Sequence, residues 1–372
     1  ASFLAVGQQI SGPTNTPAQS DSQANYRADI EIEMPLGQFE SDSTEGVLFT
    51  HFRMGQGAGV GTGPVSTFTG AVNSTTFALT SGNRDESSAL LAQMWYQLST
   101  SVNASEQGEQ FDRLAITVGK IDPFVFFDNN SIADDESEAF VNNVFVHNPH
   151  LDSGGDIGAD DFGFSPGVVA AYTLNAHSSN QWTASVGLFG AGGNASGSGF
   201  NNAFRDPFSI AQLQYEGDAL AGMPGTYQVY AWHNPQSTSS VTNATENHSG
   251  LGVSISQELA KTVTVFTRLG YQLDGDVNFD SSLTAGLQVS GNSWGRGQDR
   301  VGFALGGLFA SDEYKAANAG AKGSETNAEV YYTYQINDHL HVSPHIVYVD
   351  NPAALPNQDD ITVVGLRTKA SF

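Results

Sequence analysis

The chain contains no cysteine, which excludes disulfide scaffolds, thiolate metal sites and cysteine nucleophiles. It is poor in charge: Asp, Glu, Lys and Arg make up 14% of residues, where a soluble domain carries about 25%. Basic residues are the scarcest, 14 Lys and Arg against 39 Asp and Glu, a net charge of −25 that argues against nucleic acid as a partner. Long apolar runs are missing too. The best candidates, 167–174 and 301–310, fall well short of the ~18 residues a transmembrane helix needs. No charged segment followed by an apolar run opens the chain at Ala1, so a secretory leader, if one existed, is expected to have been removed before this numbering starts.

What is present is period two. In 26–34, Arg27, Asp29, Glu31 and Glu33 fall on one face and Ala28, Ile30, Ile32 and Met34 on the other. Similar segments of about ten residues recur along the chain, separated by Gly, Asn, Asp and Ser. Sixteen strands are predicted: 2–11, 24–34, 45–54, 89–100, 111–120, 165–176, 180–190, 207–217, 225–234, 249–258, 261–273, 281–291, 300–311, 325–337, 339–349 and 359–372. Connections after odd strands are mostly long (12–23, 55–88, 121–164, 191–206, 235–248), and those after even strands include tight turns near Leu259-Ala260 and Asn337-Asp338. Long loops on one side and short turns on the other describe an all-β transmembrane antiparallel β-barrel, whose alternation keeps mean hydropathy near that of a soluble protein. The chain reads as a single barrel domain over 1–372. In its last strand Val364, Leu366, Thr368, Ala370 and Phe372 share the apolar face, opposite Arg367 and Lys369.

Four stretches carry a family resemblance: LAITVGKIDP at 114–123 leading into FFDNN at 126–130, EAFVNNVFVHNP at 138–149, SDEYKA at 311–316, and a C-terminal block. That block runs EVYYTYQIN at 329–337, then Pro344, Asn351-Pro352, Asp359-Asp360 and VGLR at 364–367. With these the sequence resembles the carbohydrate-selective (OprB-type) porins, although Lys120 stands where that family usually has Arg. The resemblance implies a sixteen-stranded porin in the outer membrane of a Gram-negative bacterium, surrounded by its lipid and passing small solutes, sugars foremost, by diffusion. Porins of this size commonly form trimers, so a homotrimer is left open. A barrel serving as a sleeve for a partner protein in an envelope complex is the alternative. No enzymatic activity is expected, since adjacent acids such as Asp134-Asp135 or Asp359-Asp360 point to opposite faces of a strand.

With the apolar face outward, Arg27, Asp29, Glu31, Glu33, His51, Arg53, Arg268, Glu329, Arg367 and Lys369 are predicted to face the lumen. Glu31 or Glu33 is the expected partner of Arg53 on the neighbouring strand. The 121–164 connection is too long for a turn and is predicted to fold inward as a constriction loop. Its Asp134, Asp135, Glu136 and Glu138 suit the first turn of a short helix continuing through 139–145. Phe124, Phe126 and Phe127 would offer aromatic faces to a sugar, and Asp128, Asn129, Asn142 and Asn143 hydrogen bonds; the competing reading is that the phenylalanines anchor the loop to the wall. If Asp152, Asp156, Asp160 and Asp161 crowd the outer mouth, cations would be concentrated there; if they point away, Arg53, Arg268 and Arg367 would make the eyelet prefer anions. No cofactor is expected. Asp274, Asp276, Asn278 and Asp280 resemble a calcium loop, but Phe279 and Ala285 replace the required Gly and Glu, leaving only an irregular structural Ca²⁺ site open. His339, His341 and His345 share strand parity but are spaced too far along a strand to bind one metal ion together.

Overall fold

The structure, a computed structural model, describes residues 1–11, 22–38, 44–57, 59, 67–70, 72–76, 86–103, 111–152, 164–191, 203–218, 220 and 222–372. Sixteen strands close into one antiparallel barrel in which each pairs with its neighbours in sequence and the first pairs with the last. In order they are β1 (Ser2–Ser11), β2 (Ser22–Gln38), β3 (Thr44–Gln56), β4 (Ser88–Val102), β5 (Asp112–Ile121), β6 (Ser165–Leu174), β7 (Gln181–Phe189) and β8 (Phe208–Gly217). Then follow β9 (Gly225–Thr238), β10 (Thr245–Ala260), β11 (Val263–Asp274), β12 (Phe279–Ser290), β13 (Arg300–Ala310), β14 (Ser324–Asn337), β15 (Leu340–Asp350) and β16 (Ile361–Ser371). Every predicted strand is present. The seam is in full register, with Val6 opposite Arg367 and Gln9 opposite Val364.

Alternation explains the wall. In β16, Val363 and Arg367 are fully buried inside, whereas Val364 and Leu366 are half exposed outside. In β2, Ile30, Ile32 and Met34 are likewise exposed on the outer face, opposite Arg27 and Asp29. Leu188, Leu213, Val229, Leu269, Leu283 and Leu305 continue an outward apolar belt around the barrel. In water such a belt would be costly at about 25 cal/mol per Å²; against lipid it is the stable arrangement. Among the described residues no helix is long and apolar enough to cross a membrane.

The tight turns fall at 338–339 and 261–262, one or two residues later than predicted. The predicted long loop at 235–248 is corrected: β9 and β10 extend beyond the expected ends and leave only 239–244 between them, with Thr245 opposite Thr238. The connection 275–278 on the same end is also short.

Inside, segment 122–152 crosses the lumen and packs on the wall through two aromatic clusters. Phe140 and Phe145 meet Phe266, Phe279 and Tyr331; Phe127 meets Phe189, Phe208, Tyr230 and Trp232. Inward glycines make room for these rings: a Cβ on Gly252 would lie 2.0 Å from the Tyr230 ring, and one on Gly302 2.2 Å from Tyr331. The predicted helix within this segment is displaced. Residues 134–138 form a turn in which the Asp135 carbonyl accepts from the Glu138 and Ala139 amides. The one-turn helix α1 (Asn143–Val146) starts later, capped by Asn142, whose side chain accepts from the Val144 amide. Side-chain bonding by Asp135 satisfies the local backbone without helix, and α1 is followed by another single turn, α2 (Pro149–Asp152).

Candidate functional site

The inner segment is rooted at Asp128, which has a left-handed backbone (φ 58°) and is fully buried. Its carboxylate accepts from Tyr230 Oη (2.7 Å), Arg268 Nε (3.1 Å) and the Asn148 amide (2.6 Å), so one side chain ties the start of the segment to its end and to β9 and β11. Arg268 also donates to the carbonyls of Asp128 and Phe145. Farther round the wall, Glu329 on β14 accepts from the Val141 and Asn142 amides at 2.8 and 2.9 Å. Arg367 donates to the carbonyls of Glu136, Glu138 and Ala139. Asn142 reaches Asn327, and Asn143 accepts from Ser74.

These contacts correct part of the sequence reading. Phe127, Asp128, Asn142 and Asn143 are buried at the junction with the wall, because the amides and guanidinium that need partners lie there and not in the open lumen. Asn129 is likewise engaged, with Gln228 of β9. Phe126 packs edge-on against Trp95, and Phe124 stacks on His147 with centroids 3.7 Å apart. The wall-anchoring reading therefore describes Phe126 and Phe127.

What stays open is a cavity of about 430 Å³ beside the segment, toward the short-turn end. On one side Asp29 is the hub: Arg27 Nε, Arg53 Nε and His51 Nε2 each lie 2.7 Å from its carboxylate. Arg53 thus meets Asp29, its registered neighbour, and not Glu31 or Glu33 as predicted, since Glu31 sits opposite His51 and Glu33 opposite Phe49. Arg27 reaches on to Glu136, pinning the segment to β2. Glu31 borders the cavity; Glu33 is exposed farther along the same strand. On the other side Lys369 donates to Ser137 (2.7 Å) and Glu138 (2.6 Å), and Arg300 pairs with Glu138.

The lining carries six carboxylates (Asp29, Glu31, Asp122, Asp134, Asp135, Glu136) against Arg27, Arg53 and Lys369. Burial pushes Asp134 up to about 7, against the opposing pull of His147 at 3.7 Å and Arg268 at 3.9 Å. Burial acts the same way on Asp135 and Glu138. There it is outweighed, by Lys369 and the Ser137 bond for Asp135 and by Lys369 and Arg300 for Glu138, so both lie below the usual carboxylate range.

Arg300, Glu325 and Asn327 escaped the sequence reading although their parity marked them. Arg300 shares the inward face of Gly302 and Ala304, and Glu325 and Asn327 share that of Glu329. Glu325, fully buried, accepts from the amides of Phe68 and Ala353 and from Asn327. The calcium candidates are engaged separately: Asp276 accepts from Ser239, Asp280 from Ser281, and the Asn278 carbonyl from the Ser311 amide. Among the described residues no group of three or more His, Asp or Glu side chains is gathered to hold a metal. His345 meets Gln8 and His339 meets the Ser371 carbonyl. Asp156, Asp160 and Asp161 lie outside the described residues.

A closed sixteen-stranded barrel with an apolar belt outside and an inner segment narrowing a charged lumen is the architecture of a porin. The chain belongs to the carbohydrate-selective porin, OprB family, whose sequence model matches residues 56–372. Among solved structures it is similar to the high-pH form of Pseudomonas putida OprB (TM-score 0.71, 17% identity, covering 100% of this chain and 93% of that one). It is also similar to the outer membrane channel DcaP of Acinetobacter baumannii (TM-score 0.56, 11% identity, 100% and 96% covered). A mutant porin of Rh. blastica gives 0.54 at 12% identity, with 99% and 98% covered. At these identities the shared property is the fold. An uncharacterized Nostoc sp. protein, alr4550, is 24% identical over 189 residues, 45% of this chain; the match spans 32% of that relative's length.

Proposed function

We propose that the protein is a passive channel of the outer membrane of a Gram-negative bacterium, passing small solutes, carbohydrates foremost, around the inner segment. The observation that carries the reading is the segment itself: 122–152 is fastened to strands on opposite sides of the barrel, at Asp128 by Tyr230 on β9 and at its acidic turn by Arg27 on β2 and Lys369 on β16. The space left beside it, about 430 Å³, falls within the range of small-molecule sites, about 300–1,000 Å³. Val125 provides apolar surface, and the carboxylates and guanidiniums provide hydrogen bonds for hydroxyl groups. The acidic excess of the lining favours cations over anions. A channel, and not catalysis, is the use to which this lumen is suited.

Single-channel currents through the detergent-purified protein in a planar bilayer under a salt gradient, titrated with glucose and maltose, test this. Sugar-dependent block with a cation-side reversal potential supports the proposal. Open channels blind to sugar would remove the carbohydrate, and inserted protein without channels would favour a barrel plugged by a partner.

A further inference from the structure

Beyond β1 from the Asp29 hub the wall carries a second basic group. Arg300 on β13, His341 on β15 and Arg367 and Lys369 on β16 converge near the short-turn end around a single carboxylate, that of Glu138, which belongs to the inner segment. His341 and Lys369 are registered partners on adjacent strands. The other carboxylates nearby are engaged elsewhere: Glu329 accepts two backbone amides, Glu136 meets Arg27, and Asp135 caps Ser137.

Glu138 does not satisfy the cluster. His341 is only 6% exposed and its Nε2 has no hydrogen-bond partner; Nε of Arg300 and Nε of Arg367 are buried without one as well. Unmatched buried donors are rare in folded proteins, because each loses its bond to water without replacement. The Glu138 carboxylate accepts from Arg300 Nη2 and Lys369 Nζ and leaves these three ring and guanidinium nitrogens unmet. The Glu138 side chain keeps 33% of its surface exposed and that of Arg300 keeps 29%, and Lys369 also borders the cavity, so the cluster is reachable from the solute path.

We propose that Arg300, His341 and Lys369 form a binding site for small carboxylate solutes, sugar acids in particular, and that Glu138 occupies it as a built-in competitor. It extends the porin reading and rests on the lumen being a solute path. Glu138 is tethered through the backbone, by the turn at Asp135 and by the Arg367 bonds to its carbonyl, so its effective concentration at the site is at least millimolar. A free carboxylate therefore binds weakly until Glu138 leaves.

The test is calorimetric titration of the full-length barrel in detergent at low ionic strength with gluconate, alongside glucose as the neutral control. Glu138→Gln keeps the size of the side chain and removes its charge. It should bind gluconate about tenfold or more tighter than the wild type, with glucose unchanged. Lys369→Gln added to Glu138→Gln should return gluconate binding to the wild-type level or below. Equal gluconate affinity in wild type and Glu138→Gln, both shown folded by heat-modifiable gel mobility, overturns the proposal. If Glu138→Gln does not fold, Glu138→Asp, whose carboxylate is withdrawn by one methylene, should show a smaller gain of the same sign; no gain overturns it. The comparison reads binding and not current, so loss of channel activity, which bears on the porin reading, does not enter it.

Discussion

Arg268 and Asp128, 140 residues apart in sequence, are joined twice inside the barrel, side chain to side chain at 3.1 Å and guanidinium to backbone carbonyl at 2.9 Å, with neither reached by solvent. Removing one partner of a buried pair leaves an uncompensated charge and costs about 3–5 kcal/mol. Arg268→Ala is therefore expected to lower the temperature at which the barrel loses its compact gel mobility and to free the root of the inner segment. The accompanying sign is larger, noisier single-channel conductance. A variant with wild-type conductance and stability would show that the pair holds nothing.

The segment's second anchorage is its acidic turn. Replacing Asp134 to Glu138 with small neutral residues removes the Glu136 contact to Arg27 and the Glu138 contacts to Arg300 and Lys369. Conductance in a planar bilayer should rise. Unchanged conductance would mean that this turn does not narrow the lumen.

Asp134 gives a pH dependence. Its carboxyl is pushed up to about 7 in the folded protein from an ordinary 3.8, so the folded state holds an extra proton between about pH 4 and 7. Stability from this group therefore falls as pH rises through that window and is flat above it. Ionisation also adds one negative charge to the throat, so cation preference, read from reversal potentials at pH 5.5 and 8.5, should increase with pH. Asp134→Asn should remove the part of that change due to this carboxyl. A pH response identical to wild type would exclude Asp134.

The backbone places its own demand at Gly119 of β5. Its φ is +152°, and an added Cβ would lie 2.2 Å from the Met94 carbonyl oxygen and 2.6 Å from Trp95 Cα, atoms that cannot move aside. Gly119→Ala is expected to destabilise the barrel by about 1–3 kcal/mol. Gly7→Ala, where nothing lies within 4 Å, is the control and should be close to neutral.

On the outer belt, Leu305 is 49% exposed among apolar neighbours. Leu305→Arg should cost about 2–4 kcal/mol in refolding into bilayers if it sits near the membrane midplane. A much smaller cost would place it near an interface.

Strand number and facing were legible because period two is enforced by the environment: every outward position must suit lipid and every inward one the lumen. Ile30 and Asp29 declare themselves by alternation alone, and so do Arg367 and Glu329. Partners were less legible. Pairing of Arg53 depends on register, and one step along β2 separates Asp29 from Glu31. The destinations of Asp128, Asn142 and Asn143 depended on which buried groups lacked partners, and most of those are distant in sequence: Tyr230 and Arg268 for Asp128, Asn327 for Asn142 and Ser74 for Asn143. The short helix was misplaced because Asp and Asn side chains bond to the backbone as readily outside a helix as at its start.

The inner segment is fastened to residues up to 232 positions later in the chain, as at Ser137 and Lys369. In kinetic terms it cannot be drawn tight until β13 to β16 are in place and the seam with β1 has formed, since contacts of such separation form late. A narrow lumen is thus a certificate of completed assembly, and a barrel caught before closure should leak through a bore wider than the finished channel ever presents.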